Sequence, residues 1–334
     1  MSKWQWAWEG ALGIVTVLGL GMVLFTAPGA HLLSILASSA PLGLVAVALS
    51  LSMRVGTPNL AVGSVSALSG VLIASLVVAL GMPLVVGVLL VILLAVLCGL
   101  VMGAFTVLLE APAWAVTLAA AVVCDALSLA FTQGRTIVLQ EAPSLSPVVG
   151  FAVFAVVSVA GGLLWVRREF RQWLAKGWAG PLVGLAGSCV LAALGGFMLL
   201  LRLGAAQPGS QGLFTAVFAL AAVLLGGTGL LNGAGLASGG GFAGGGGSAG
   251  GVGLAGGAGL TNGADLANGA GATSTVADGG RGAVAGTLLA VLILAIVQGE
   301  LALLAVPAYV IMIVLGGVVI VGLAVSRALD ALRQ

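Results

Sequence analysis

Long apolar runs alternate with short polar interruptions along this chain. Runs of about 20 apolar residues, the length a helix needs to cross the hydrocarbon core of a bilayer, recur from one end to the other. The pattern predicts an all-α fold, a polytopic transmembrane helical bundle that forms a single domain over residues 1–334. Ten spans are predicted, near residues 8–27, 32–52, 60–81, 84–108, 113–131, 148–166, 180–202, 213–229, 283–304 and 306–326.

Composition and charge placement support this prediction. Apolar residues make up 61% of the chain and charged residues 6%, against roughly a quarter charged in soluble domains. With the N-terminus inside, the segments between spans hold nine basic residues inside and two outside, a positive-inside asymmetry that predicts a multi-pass protein with both termini cytoplasmic. The inside set is Lys3, Arg54, Arg167, Arg168, Arg171, Lys176, Arg281, Arg327 and Arg333, and the outside set is Arg135 and Arg202.

A polar stretch, RVGTPNLAVGS at residues 54–64, separates the second span from the third. Pro58 lacks an N–H donor and disfavours helix at Thr57. Non-helical backbone at membrane depth survives only where protein buries it or water reaches it. Small residues follow at four-residue spacing, Gly63 with Ala67 and Ser66 with Gly70, which allows close helix packing. The stretch predicts either a broken helix beside a translocation path or a short cytoplasmic loop between two ordinary spans.

The sequence predicts no enzyme chemistry. The only lysines are Lys3 and Lys176, and neither stands in a GxxxxGK[ST] loop. His31 has no carboxylate or cysteine near it in sequence, and the three cysteines show no CxxC spacing. We therefore expect no catalytic site, no metal site and no cofactor in this chain. Nothing predicts a nucleic-acid partner.

Three segments carry a resemblance to a known family. VGTPNLAVGSVSALSGVLIASL (55–76) resembles the G-x-D-L-S-V-G-S segment of the permease subunits of ribose-type and other simple-sugar ABC importers, which are related to branched-chain amino acid permeases. Residues 202–233 and 279–304 resemble two further family segments, R-x-G-x-A-Q-P followed by V-L-G-G-T-S-L, and G-G-x-G-x-x-x-G-T-x-x-G. The chain departs from the family at Asn59 and Ala61, where the family usually carries Asp and Ser.

The resemblance implies a permease subunit that moves a small solute, a monosaccharide or similar, inward by alternating access. Separate ABC ATPase subunits would bind and hydrolyse the ATP, and an extracytoplasmic binding protein would deliver the solute. The departures favour a hetero-dimer with a second permease subunit over a homo-dimer. The expected location is the bacterial cytoplasmic (inner) membrane, in contact with membrane lipid. A degenerate, non-transporting partner in a hetero-dimer and a secondary transporter remain as alternatives.

Two groups of candidate site residues follow. Polar or ionisable groups inside spans are functional candidates because burying them is costly, and the outer AQPGSQG segment is where a binding protein would deliver solute. The translocation-path candidates are Asn59, Ser64, Ser66, Asp125 and Gln207. The basic stretch 166–181 occupies the family position of an ATPase-coupling loop, although a positive-inside flank would look the same. Its ATPase-docking candidates are Arg167, Arg168, Phe170, Arg171 and Trp173.

A glycine-rich low-complexity segment interrupts the last third of the chain. Residues 226–282 contain 24 glycines in 57 positions, and GLLNGAGLA at 229–237 recurs as GLTNGADLA at 259–267. Glycine's backbone entropy and the lack of large side chains oppose a packed core. We expect a flexible, non-spanning cytoplasmic insertion at about 234–277.

Overall fold

The bundle consists of apolar helices joined by short connections. A computed structural model describes residues 3–26, 29–139, 145–174, 178–208, 211–227 and 283–331. Within these ranges the helices are α1 (Lys3–Thr26), α2 (Gly29–Arg54), α3 (Val62–Leu80), α4 (Leu84–Leu108), α5 (Ala113–Thr132), α6 (Pro147–Val166), α7 (Arg168–Leu174), α8 (Ala179–Leu203), α9 (Gln211–Leu225), α10 (Ala283–Leu303) and α11 (Ala308–Ala331). Each predicted span coincides with a helix, which confirms the all-α polytopic bundle.

Eight of the described helices are long and apolar enough to cross a membrane. The other two predicted spans coincide with shorter apolar stretches, Gly212–Leu225 in α9 and Tyr309–Val325 in α11. The short helix α7 lies in the basic stretch between α6 and α8. The predicted glycine-rich insertion at about 234–277 lies outside the described residues.

The packing of α4 shows how these helices associate. The helix buries glycines, Gly99 and Gly103 among them, while Leu89, Leu93 and Leu97 are exposed. A helix of a soluble protein shows the opposite pattern, with its leucines buried. Since lipid chains are as apolar as leucine, helices in a bilayer gain little by hiding leucine and more by bringing backbones close together. The exposed leucines mark a lipid-facing surface.

The centre of the bundle is α2, which packs against α6, α8, α9 and α10. Its second half, from Ser39 to Arg54, is almost entirely buried. Glycine allows the close contacts here as well. Gly43 lies against the Phe154 ring of α6, and a Cβ added at Gly195 of α8 would lie 3.0 Å from the carbonyl oxygen of Pro41.

A short β ladder, which the sequence pattern did not predict, joins two connecting segments. Strand β1 (Ile137–Val138), after α5, pairs antiparallel with β2 (Ala205–Ala206), after α8. Gly204 turns the chain between α8 and β2 with a left-handed φ of 63°, and its carbonyl accepts a hydrogen bond from the Leu139 N–H at 2.8 Å. The ladder ties the end of α5 to the end of α8.

The close contact of α4 with α8 yields a test of this packing. A Cβ at Gly99 would overlap Ala186 and lie 2.6 Å from the carbonyl oxygen of Leu185. Gly99→Leu should therefore lower the free energy of unfolding by about 1–3 kcal/mol or more through overpacking, measured as a lower melting temperature of the purified protein in detergent. Gly13→Leu is the control, because a Cβ at Gly13 meets no atom within 4 Å. Equal melting temperatures for the two variants would contradict the packing described here.

Candidate functional site

The break between α2 and α3 is a buried polar region of the bundle. Helix α2 ends at Arg54, and helix resumes only at Val62. Gly56 adopts a φ of 82°, a conformation that glycine reaches without steric cost. The N–H of Gly56 donates to the Met53 carbonyl at 3.1 Å, and that of Thr57 donates to the Ser52 carbonyl at 3.0 Å. The predicted interruption of the helix near 54–64 is confirmed, and it fits both the broken helix and the short loop between two spans.

Asn59 is the centre of the hydrogen-bond network at this break. Its side chain is fully buried. Its Oδ1 accepts from the Ala61 N–H at 3.0 Å, and its Nδ2 donates to Ser188 Oγ on α8 at 2.7 Å. The backbone N–H of Asn59 donates to Ser52 Oγ on α2 at 3.0 Å. One side chain thus connects the break to α8, while its backbone is held by α2.

Thr117 of α5 pairs a further backbone group of the break. Its Oγ1 accepts from the Leu60 N–H at 3.1 Å. The same hydroxyl donates to the Ala113 carbonyl at 2.8 Å and lies 3.2 Å from the Pro58 carbonyl. Paired backbone is what membrane depth requires of a non-helical segment. Sequence analysis missed Ser52, Thr117 and Ser188. The available signal was that each is a hydroxyl inside an apolar span.

Two of the translocation-path candidates come together beside the break. Ser64 on α3 and the Asp125 side chain on α5 lie close to each other. Both lie against Gly212 of α9, where an added Cβ would be 2.9 Å from Asp125 Oδ1 and 3.2 Å from Ser64 Oγ. Among the described residues, Asp125 Oδ1 has no hydrogen-bond partner. A carboxylate with spare acceptor capacity therefore lies where α3, α5 and α9 meet.

The other path candidates lie elsewhere. Asn59 belongs to the network of the break, and Ser66 is buried on the other side of α3, where its backbone contacts Gly196 of α8. Gln207 is exposed and directly follows β2. Its neighbour Ala206 packs with Val71 and Ile73 in the second half of α3, away from Ser64. The structure brings together Ser64 and Asp125, but not the whole predicted set.

The small residues of α3 allow close packing against two neighbouring helices, α9 and α8. A Cβ at Gly63 would clash with the Gly212 carbonyl oxygen and lie 2.7 Å from the Ala216 backbone nitrogen, both on α9. A Cβ at Gly70 would lie 3.3 Å from the Gly196 carbonyl oxygen on α8. The predicted close helix packing is observed on both faces.

Helix α7 contains most of the predicted docking residues. Phe170, half-buried, stacks on Trp173 with ring centroids 6.4 Å apart and meets the edge of Trp165 at 6.5 Å. Arg167, just before α7, and Trp173 within it have exposed side chains. The side chains of Arg168 and Arg171 lie outside the described part of the structure. The aromatic contacts hold α7 against the bundle with exposed groups facing outward.

The three cysteines, scattered in the sequence, meet in the structure. The Cys98 thiol of α4 lies near Cys124 on α5 and Cys189 on α8. All three are free, and Cys189 Sγ also lies 3.5 Å from Asn59 Nδ2. No group of metal-ligating residues suited to a metal ion occurs in the described ranges.

These features define a class of protein. A bundle of apolar helices that holds a paired, non-helical segment and an intramembrane carboxylate has the architecture of a membrane transport protein. Residues 31–168 match the family model described as branched-chain amino acid transport system / permease component, a match that confirms the resemblance drawn from the sequence. No curated protein and no solved structure matches the chain. The matched segment contains the break, Ser64 and Asp125.

Asn59 provides a direct test of the network at the break. Asn59→Ala should lower the free energy of unfolding by about 1–3 kcal/mol, because it removes the partner of the Ala61 N–H and of Ser188. Thermal unfolding in detergent measures this change. Ser69→Ala is the matched control. Ser69, on α3, is buried as Asn59 is, but its hydroxyl donates only to the Val65 carbonyl one turn back in the same helix. A melting temperature for Asn59→Ala no lower than that of Ser69→Ala would show that the network does not hold the break.

Proposed function

We propose that this chain is the membrane-spanning permease subunit of an ABC importer, moving a small solute such as a monosaccharide inward by alternating access. The single observation that carries the proposal is the permease-family match over residues 31–168, a segment that includes the break and the Ser64–Asp125 pair. Separate ATPase subunits supply the ATP hydrolysis, and this chain contributes the path.

The contact between α3 and α9 supports a path beside Ser64 and Asp125. Gly63 and Gly212 bring the two helices into backbone contact without interdigitating side chains. Helices that meet through glycine can separate without withdrawing large side chains from one another. Separation at this contact would expose a hydroxyl and a carboxylate, groups that can hydrogen-bond a polar solute.

Two exposed regions of the chain, one at α7 and one at Gln207, are proposed to contact partner proteins. The exposed groups of Arg167 and Trp173 are proposed to contact the ATPase, with Phe170 fixing α7 in place. An extracytoplasmic binding protein would approach the Gln207 end. Because Asn59 and Ala61 depart from the family pattern, the second permease subunit is proposed to be a different chain. The proposed location is the bacterial inner membrane with both termini cytoplasmic.

A second candidate, a degenerate non-transporting partner in a hetero-dimer, is favoured by the burial of Asn59. The Asn59 side chain is 0% exposed, and both its amide oxygen and its amide nitrogen are used in structural hydrogen bonds. In this alternative the second permease carries the solute. A secondary transporter would instead require Asp125 to couple solute movement to an ion.

Co-purification with an ATPase tests the proposal. The chain alone should show no ATPase activity, since it has no P-loop, and co-expression with its ATPase and a second permease should give a complex containing one copy of this chain by intact mass. Arg167→Ala combined with Trp173→Ala should weaken ATPase retention. The control pair, Arg135→Ala with Tyr309→Ala, removes an exposed cation and aromatic elsewhere. ATP hydrolysis by the isolated chain, or equal retention by both pairs, would contradict the proposal.

Turnover-dependent labelling tests the path at Ser64. After Cys98, Cys124 and Cys189 are replaced by serine or alanine, Ser64→Cys should react with a water-soluble thiol reagent during ATP turnover. Ser69→Cys should stay unreactive, because Ser69 is equally buried on α3 but bonded within its own helix. No labelling at Ser64→Cys in an actively transporting complex would remove this segment from the path, as the non-transporting alternative requires.

A further inference from the structure

A cavity of about 310 Å³ lies between α2 and α6, at the end of α2 that carries Arg54. Helix α2 contributes one face, in which Val47, Leu51 and Arg54 recur at helical spacing. Helix α6 contributes the opposite face, with Val157, Leu164 and Trp165. Its described walls are apolar apart from a few groups, and among these described residues Arg54 alone carries a full charge.

Arg54 is buried in this cavity without a partner for most of its guanidinium. The residue is 9% exposed, and its Nε and Nη2 atoms have no hydrogen-bond partner among the described residues. The guanidinium carbon lies 5.6 Å from the centroid of the Trp165 ring, a cation–π distance. Glu9 of α1 attracts Arg54 electrostatically, but the two form no ion pair in the described chain.

A buried guanidinium with unpaired N–H groups is stabilised by an anion. Burying a charge without a partner costs several kcal/mol, and intramembrane cations are normally paired. Guanidinium groups match phosphate oxygens with two parallel hydrogen bonds. The free Nε and Nη2 atoms belong to one edge of the guanidinium group and can form such a pair. The chemistry of the site therefore indicates a phosphate or a comparable oxyanion.

The shape of the cavity indicates that the anion carries a hydrocarbon chain. From Val47 to Arg54 the helix rises about 10 Å, and this length is lined mainly by apolar side chains. On the α6 side, Ala160, Gly161 and Leu164 line the cavity and are also exposed. Since α6 is long and apolar enough to span a membrane, the cavity opens towards the hydrocarbon of the bilayer.

We propose that this cavity binds an anionic phospholipid, with its phosphate on Arg54 and part of one acyl chain between α2 and α6. Basic pockets between transmembrane helices bind anionic lipid head groups in this way. The lipid comes from the leaflet at the Arg54 end of α2, which is the cytoplasmic leaflet in the orientation given above. The site does not depend on transport, so it stands apart from the proposed function.

Native mass spectrometry of the full chain in detergent tests the proposal. Titration with phosphatidylglycerol should give a single high-affinity adduct, bound about fivefold more tightly than phosphatidylethanolamine. Both lipids carry the phosphate, but the ammonium group of phosphatidylethanolamine cancels its charge. Arg54→Met should abolish this preference. Arg167→Met is the control, because it removes the same charge from an exposed position just after α6 and should leave the preference unchanged.

A second variant keeps Arg54 and fills the mouth of the cavity. A Cβ at Gly161 meets no atom within 4 Å, so Gly161→Leu should fold normally while reducing phosphatidylglycerol binding about as much as Arg54→Met does. Gly13→Leu, also in open space on α1, should bind as the wild type does. This pair decides the matter if Arg54→Met fails to fold.

The same measurements can overturn the proposal. Equal phosphatidylglycerol affinity in the wild type and Gly161→Leu would show that the lipid binds elsewhere. Inorganic phosphate that displaces phosphatidylglycerol, depends on Arg54 in the same way and binds equally well to the wild type and to Gly161→Leu would identify a small-anion site instead. If the chain failed to bind an ATPase or to transport a solute, the lipid-binding result would still stand.

Discussion

Pairing the backbone of residues 55–61 inside an apolar bundle is the constraint on which the rest of the structure depends. Water is not at hand to satisfy these groups, so side chains must do it. Ser52 accepts the N–H of Asn59, Thr117 accepts that of Leu60, and Asn59 accepts that of Ala61. Ser52 lies on α2 and Thr117 on α5, while Asn59 reaches α8 through Ser188. The break therefore fixes three helices relative to α3.

Glycine contacts then set how closely the remaining helices approach. Gly63 meets Gly212 of α9, Gly196 of α8 meets Ser66, and Gly99 of α4 meets Ala186. At these points the partner is backbone or a small side chain, which favours dispersion contacts over burial of large apolar groups. The small residues at these contacts allow Ser64 and Asp125 to lie close together. Between α2 and α6 the packing leaves the cavity at Arg54.

The sequence predicted the elements well and their contacts poorly. Run lengths located the spans, and Pro58 with its small neighbours located the break, because both signals are local. The pairing of Asn59 with Ser188 joins residues far apart in sequence, as does the meeting of the cysteines, and no local pattern encodes either. Ser64 and Ser66 were predicted as one set, yet two helical positions rotate a side chain by about 200°, so they face different helices. The β ladder is too short to show the alternation that marks a strand.

The β ladder has a mechanical consequence. It couples the segments after α5 and α8 through main-chain hydrogen bonds, so those two helix ends move as one unit. At the other end of α3, Gly63 and Gly212 touch without any such tie. A displacement of α9 against α3 at that contact would therefore leave the ladder between the ends of α5 and α8 intact.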